Sequence, residues 1–248
     1  MNCLFYLPEK SIDLRHMKTR ILVLIVCLLP ALSCHRSDML TVNGKVNNNE
    51  LNGSTVYVVN VEGSKEVAED SAIIKKSSFR LSLPSDTLKI RTLRIFQHGT
   101  VKTEDLIFIK EPGNLNVVMG TKSSSSGTRL NKILMDWKKG NTQYDSIQND
   151  LYYKTGVPGL SASARDSLIK LSALTDSFYI NNVTDILDRN INNGIGILLF
   201  GVYYDHLSLD ARKRILDLKG KEYMERDLYI WSKVMFDQQI PKQSAPGN

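Results

Sequence analysis

The chain has 248 residues, 42% of them hydrophobic and 23% charged, and its 32 Lys and Arg against 26 Asp and Glu give a net charge of +6. That much apolar material builds one or two packed domains, which excludes a disordered chain. The charges are interspersed, as in Lys65/Glu66, Arg212/Lys213 and Glu222/Arg226, and are not massed with stacking aromatics, so no nucleic-acid partner is expected.

The N-terminus carries the clearest signal. Met17, Lys18, Thr19 and Arg20 form a basic start, Ile21 to Leu29 an apolar run, and Pro30-Ala31-Leu32-Ser33-Cys34 a small-residue exit. The run is shorter than the roughly 20 residues a permanent span needs, so it reads as a signal peptide. Ala31-Leu32-Ser33-Cys34 resembles a lipobox, which assigns lipidation to Cys34, with Ala31 where Leu is more usual. Residues 1–16 precede a complete signal peptide, making Met17 the expected start. Loss of Lys10, Arg15, Lys18 and Arg20 with Glu9 and Asp13 leaves a mature charge of +4.

Of the three cysteines, Cys3 and Cys27 fall in the removed part and Cys34 takes the lipid. No thiolate, dithiol couple or cysteine-ligated metal is then expected in the mature chain. His35, His98 and His206 lie too far apart for helical or hairpin ligand spacing. No metal, cofactor or catalytic residue is assigned.

After a tether over 34–39, residues 40–120 read as an antiparallel β domain, a sandwich or barrel-like fold. Leu40, Val42 and Val46 alternate around Gly44, and Thr55 to Val59 is a β-branched run after the turn Asn52-Gly53-Ser54. Asp70 to Lys75 is a short strand. Phe79, Leu81 and Leu83 alternate with Arg80 and Ser82 up to Pro84; Leu88 to Phe96, Leu106 to Ile109 and Leu115 to Met119 follow, the last two joined by Glu111-Pro112-Gly113-Asn114. Residues 121–127, with four serines in a row, read as a linker.

A helical domain follows over 128–240, making the whole chain α+β. Ile133, Leu134 and Trp137 start one amphipathic helix. Ser161 caps a second, with Leu168, Leu171, Leu174 and Phe178 on one face. Ile195 to Tyr204 is a central apolar helix, too short to span a membrane. Ser208 caps Leu209 to Lys219, which Gly220 closes; Tyr223 to Phe236 is last, and 241–248 is a frayed tail.

Leu40-Thr41-Val42-Asn43-Gly44-Lys45-Val46, Thr55-Val56-Tyr57-Val58, Ile109-Lys110-Glu111-Pro112-Gly113-Asn114-Leu115 and Gly127-Thr128-Arg129-Leu130-Asn131 occur in that order. Together they resemble the domain of unknown function 4369 family of lipoproteins. The resemblance implies a β domain and helical segment of the kind found ahead of a thioredoxin-like domain of the thiol:disulfide interchange or peroxiredoxin-like type. This chain ends at Asn248 without a Cys-x-x-Cys, so that domain and its redox activity are not expected here.

The reading favoured is a non-catalytic binding or scaffold module of the cell envelope, lipid-anchored, with the outer membrane preferred over the inner, and with an envelope protein, peptide or glycan as partner. One alternative is an accessory subunit of a thioredoxin-like system. Another is a hydrolase using Asp205, His206 and Ser208, although neighbours on one helix or strand point apart and cannot orient each other as a triad requires. Four triplets, at Ser71, Thr87, Ser146 and Ser167, follow an Asp with a hydroxyl residue and then an aliphatic one. They resemble the O-glycosylation consensus of envelope proteins in bacteria that carry this lipoprotein family. Thr87, in a loop after Pro84, is the favoured acceptor.

Overall fold

The computed structural model describes residues 38–62, 65–96 and 102–224. Cys34, His35, His98 and the predicted last helix and tail beyond 224 lie outside the described residues.

Two four-stranded sheets face each other as a sandwich, with no closed barrel. β1 (Met39–Val46), β4 (Ser78–Pro84), β7 (Gly113–Met119) and β8 (Ser124–Ser126) form the first sheet, in the order β4-β1-β7-β8. β2 (Thr55–Glu62), β3 (Lys65–Ile73), β5 (Asp86–Ile95) and β6 (Leu106–Lys110) form the second, in the order β3-β2-β5-β6. Alternation decides which face is buried: Phe79, Leu81 and Leu83 of β4 point into the sandwich while Ser78, Arg80 and Ser82 meet water. They join Leu40, Val42, Val56, Val58, Leu93, Phe108 and Leu115 in one core.

Gly44 of β1 sits opposite Phe79 of β4. The Phe79 ring lies directly on it, and a Cβ at Gly44 would come within 2.0 Å of the ring. Glycine leaves a gap in the strand face, and the cross-strand aromatic fills it.

Around β5 and β6 the second sheet is buried on both sides. Leu93, Ile95, Leu106 and Phe108 face the sandwich, whereas Ile90 and Ile109 face the helices. Those helices are α1 (Arg129–Thr155), α2 (Ala162–Arg189), α3 (Gly194–Tyr203) and α4 (Leu209–Met224). Leu130, Leu134, Leu187, Leu198, Phe200 and Ile215 pack with Ile90 and Ile109 into a second core. Helix α3 is buried nearly all round, as its unbroken apolar run requires. Its first residue, Gly194, lies so close to Ile109 that a Cβ would stand 2.8 Å from that side chain.

Capping follows the expected residues. The Ser161 hydroxyl accepts the Ala164 amide at 3.3 Å, and the Ser208 hydroxyl accepts the Ala211 amide at 3.2 Å. Elsewhere the structure differs from the expectation. β1 and β7 run parallel, because β1 is central and the chain passes through the second sheet between them. β3 begins at Lys65, its charged half being paired to β2 across a bulge at Val58/Val59. Within the serine run, Ser124–Ser126 pairs with Asn116–Val118 as β8, since backbone ladders need no apolar side chain. Gly220 does not end α4, which continues to Met224. Among the described residues, no helix is long and apolar enough to cross a membrane.

Candidate functional site

Two features stand out: a buried polar joint between sandwich and helices, and a helical hairpin with a polar seam. At the joint, the first turn of α1 has backbone amides with no partner inside the helix. The buried carboxylate of Glu111 accepts two of them, from Leu130 and Asn131, where a negative charge also complements the helix dipole. Asn131, fully buried, bonds the Ile109 backbone with both ends of its amide and donates to the Thr128 hydroxyl at 2.8 Å. Gly113 and Gly127 both have positive φ, of 129° and 113°. A Cβ on Gly127 would lie 2.3 Å from the Asn114 carbonyl oxygen. The Glu-Pro-Gly-Asn and Gly-Thr-Arg-Leu-Asn stretches are therefore two halves of one interlock, a role that turn chemistry alone did not suggest.

Beyond this joint, α1 and α2 pair through polar groups. The Tyr179 hydroxyl reaches the Asn141 side-chain oxygen at 2.8 Å, and the Tyr203 hydroxyl reaches the same atom at 2.9 Å. Tyr144 stacks on Tyr179 with ring centroids 4.1 Å apart and hydrogen-bonds Asp176. Gln148 donates to Asp176 at 2.6 Å and accepts from the Ser172 hydroxyl at 2.6 Å. Burial holds the Tyr144, Tyr179 and Tyr203 phenols protonated above their ordinary range, and the Asp176 carboxylate reinforces this at Tyr144. Burial also raises the Asp145 carboxyl. The seam is a set of satisfied hydrogen bonds, with phenols as donors and no activated nucleophile beside a base.

A cleft of about 480 Å³ opens on one flank of this hairpin, between Leu151, Tyr152 and Thr155 of α1 and Ile169, Ala173 and Asp176 of α2. On another flank lie three of the four residues expected on one face, the fourth, Leu168, being half-buried. Leu171 is 49% exposed, Leu174 68% and Phe178 70%. The face of α2 turned to α1 is instead Ser172, Asp176, Tyr179 and Val183, because tyrosine, amide and carboxylate groups satisfy one another there.

The residues singled out by sequence are scattered. Ser71 on β3, Ser146 on α1 and Ser167 on α2 are exposed, as is Thr87, which lies in β5 and not in the loop expected for it. Ser167 donates to the Ser163 carbonyl at 2.9 Å. Asp205 and His206 lie in a short 3-10 turn, and His206 packs edge-on to Tyr203. Ser208 is engaged as the α4 cap. Among the described residues, no hydrogen bond joins Asp205, His206 and Ser208, and no three His, Cys, Asp or Glu side chains cluster as metal ligands.

Residues 40–134 match the family model described as a domain of unknown function, DUF4369. Over this segment the chain is similar to that family. No curated protein and no solved structure matches the chain. The DUF4369 segment takes in the whole sandwich and ends at Leu134, one turn beyond Asn131, so it contains both halves of the interlock. The hairpin with its cleft and apolar stripe extends past it.

Proposed function

We propose that this protein is a lipid-anchored, non-catalytic binding module of the cell envelope, held at the outer membrane through Cys34. In this reading the DUF4369 sandwich is a rigid base, and the α1–α2 hairpin is the arm that engages a partner protein. The observation that supports it is the exposed stripe of Leu171, Leu174 and Phe178 on a hairpin whose inner seam is polar. Large apolar side chains in a row on the outside of a helix pair mark an interaction surface more often than a bare surface. The anchor is supported by the basic, apolar, small-residue and cysteine order ending at Cys34.

Two measurements test the two parts. Cys34→Ser should move the protein from the detergent phase to the aqueous phase, and inhibition of lipoprotein signal peptidase should leave the precursor uncleaved; a Cys34→Ser protein still in the detergent phase refutes the anchor. For the arm, a photo-reactive residue at Phe178 should give one discrete cross-linked adduct in intact envelopes. The same residue at Arg80, on the exposed face of β4, should not, and Leu174→Glu should abolish the adduct. Equal labelling from both positions refutes the arm.

A further inference from the structure

Three charged side chains crowd the end of the sandwich where the chain enters. The Asp38 carbonyl accepts the Ser85 amide at 2.8 Å, and Asp86, the next residue, pairs in register with Lys110. Lys110 and Arg91 both lean on Glu69, which sits beside the β3 bulge. The side chains of Arg91 and Lys110 are only 6% and 9% exposed, that of Glu69 28%. Arg91 bonds Glu69 through Nη2 and the Ile90 carbonyl through Nη1 at 2.7 Å. Its Nε is buried with no partner among the described residues. Lys110 Nζ reaches Glu69 Oε2 only at 3.4 Å.

One carboxylate thus serves two buried cations. The carboxylate of Asp86 is engaged by the Leu88 amide at 3.0 Å and by Lys89 at 3.6 Å. Buried cations with idle donors are costly until an anion meets them. The planar guanidinium and the ammonium together match the oxygens of a tetrahedral oxyanion.

We infer that Arg91 and Lys110 form a phosphate-binding site, with Glu69 as the resident counter-charge that the ligand competes against. The phosphate has two possible sources. One rests on the proposed anchor: four peptide links from Cys34 to Asp38 reach at most about 14 Å, which brings the site within range of lipid headgroups. The other is free inorganic phosphate.

The test uses the full mature chain carrying Cys34→Ser, so that lipidation plays no part and a failure here is separate from a failure of the anchor. Inorganic phosphate at about ten times its Kd should raise the unfolding temperature by about 3 °C over chloride at equal ionic strength. Lys110→Gln should weaken phosphate binding about tenfold. Glu69→Gln should tighten it several-fold, which a merely structural ion pair does not predict. Sedimentation with phosphatidylglycerol but not phosphatidylcholine vesicles, reversed by free phosphate, identifies the headgroup as the source. Stabilisation by phosphate without sedimentation identifies the free anion. Equal shifts in phosphate and chloride, for both the otherwise unaltered protein and Glu69→Gln, overturn the site.

Discussion

The side chain of Asn131 stands beside Ile109 as a neighbouring strand would, accepting from its amide at 2.8 Å and donating to its carbonyl at 2.9 Å. β6 is an edge strand of the second sheet, and edges leave backbone groups unpaired. Here one helical side chain closes that gap at the residue whose own side chain faces the helices. Asn131→Ala leaves the buried Ile109 amide unpaired and its carbonyl with the Glu111 amide alone, at 2.9 Å, with an expected loss of about 1–3 kcal/mol in urea unfolding. Asn131→Asp should be worse, because a carboxylate cannot donate to the Ile109 carbonyl and would sit near Glu111.

Gly44 and Phe79 should be coupled. Gly44→Ala forces the ring aside and is expected to destabilise by about 1–3 kcal/mol. Phe79→Leu in the same chain should relieve part of that, so the double variant loses less than the two singles combined. Gly127→Ala has no such remedy, since its obstacle is the Asn114 backbone. It should cost more than Gly53→Ala, where φ is 87° but the space is open. Urea midpoints of the five proteins check the order.

Acid should act on Glu69. Its hydrogen bond to Arg91, with the Arg91 and Lys110 charges, holds its carboxyl below the ordinary glutamate range against the opposing effect of burial. A carboxylate with a lowered folded-state pKa contributes stability in full above its unfolded pKa, and that contribution fades as pH falls through the folded value. Stability curves taken below pH 4.5 should therefore be flatter for Glu69→Gln than for the parent protein. Identical slopes there would disprove the linkage.

In alkali the sign reverses. The phenols of Tyr144, Tyr179 and Tyr203 are raised by burial, so the folded state holds their protons more tightly than the unfolded chain does. Their contribution is complete below pH 10 and is lost as pH climbs beyond it. Tyr144, Tyr179 and Tyr203 should form phenolate only together with unfolding. Phenolate absorbance that reaches its full value before the far-ultraviolet signal changes would contradict this.

Modification is expected at Thr87. It is exposed at the start of β5, close behind Pro84, whereas Ser71 lies within the paired length of β3 and Ser167 already donates within α2. Mass spectrometry of protein exported by its native host should find a glycan on the Thr87 peptide, with Ser146 next. Unmodified peptides at all four positions would end the idea.

Much of the sandwich was legible because strict alternation, as in Phe79, Leu81 and Leu83, leaves one register for a half-buried strand. The serine strand was not, because Ser124–Ser126 is held by ladder bonds to β7 that composition does not report. The parallel pairing of β1 and β7 depends on where the chain crosses between sheets, which no local pattern encodes. In α2, the period of Leu171, Leu174 and Phe178 defines one face, but the helix turns that face outward. The face turned to α1 carries Ser172, Asp176 and Tyr179, hydrogen-bonded to α1, a preference visible only once Tyr144, Gln148 and Asn141 are opposite it. Glu111 and Asn131 stand 20 residues apart in two separate motif stretches, and their bond across the joint exists only once β6 and α1 are docked.

The reciprocal bonds of Gln148 with Ser172 and Asp176 have a mechanical consequence. Two apolar helices can slide by a turn with little change in contact, whereas this pair is keyed like teeth in a zip and is either engaged or open. Above the aromatic stack of Tyr144 on Tyr179 there is little buried apolar surface besides Leu151 to hold the teeth closed. Amide exchange should accordingly quicken from Asn141 toward Gly159, giving an arm that is stiff at its root and breathes at its tip.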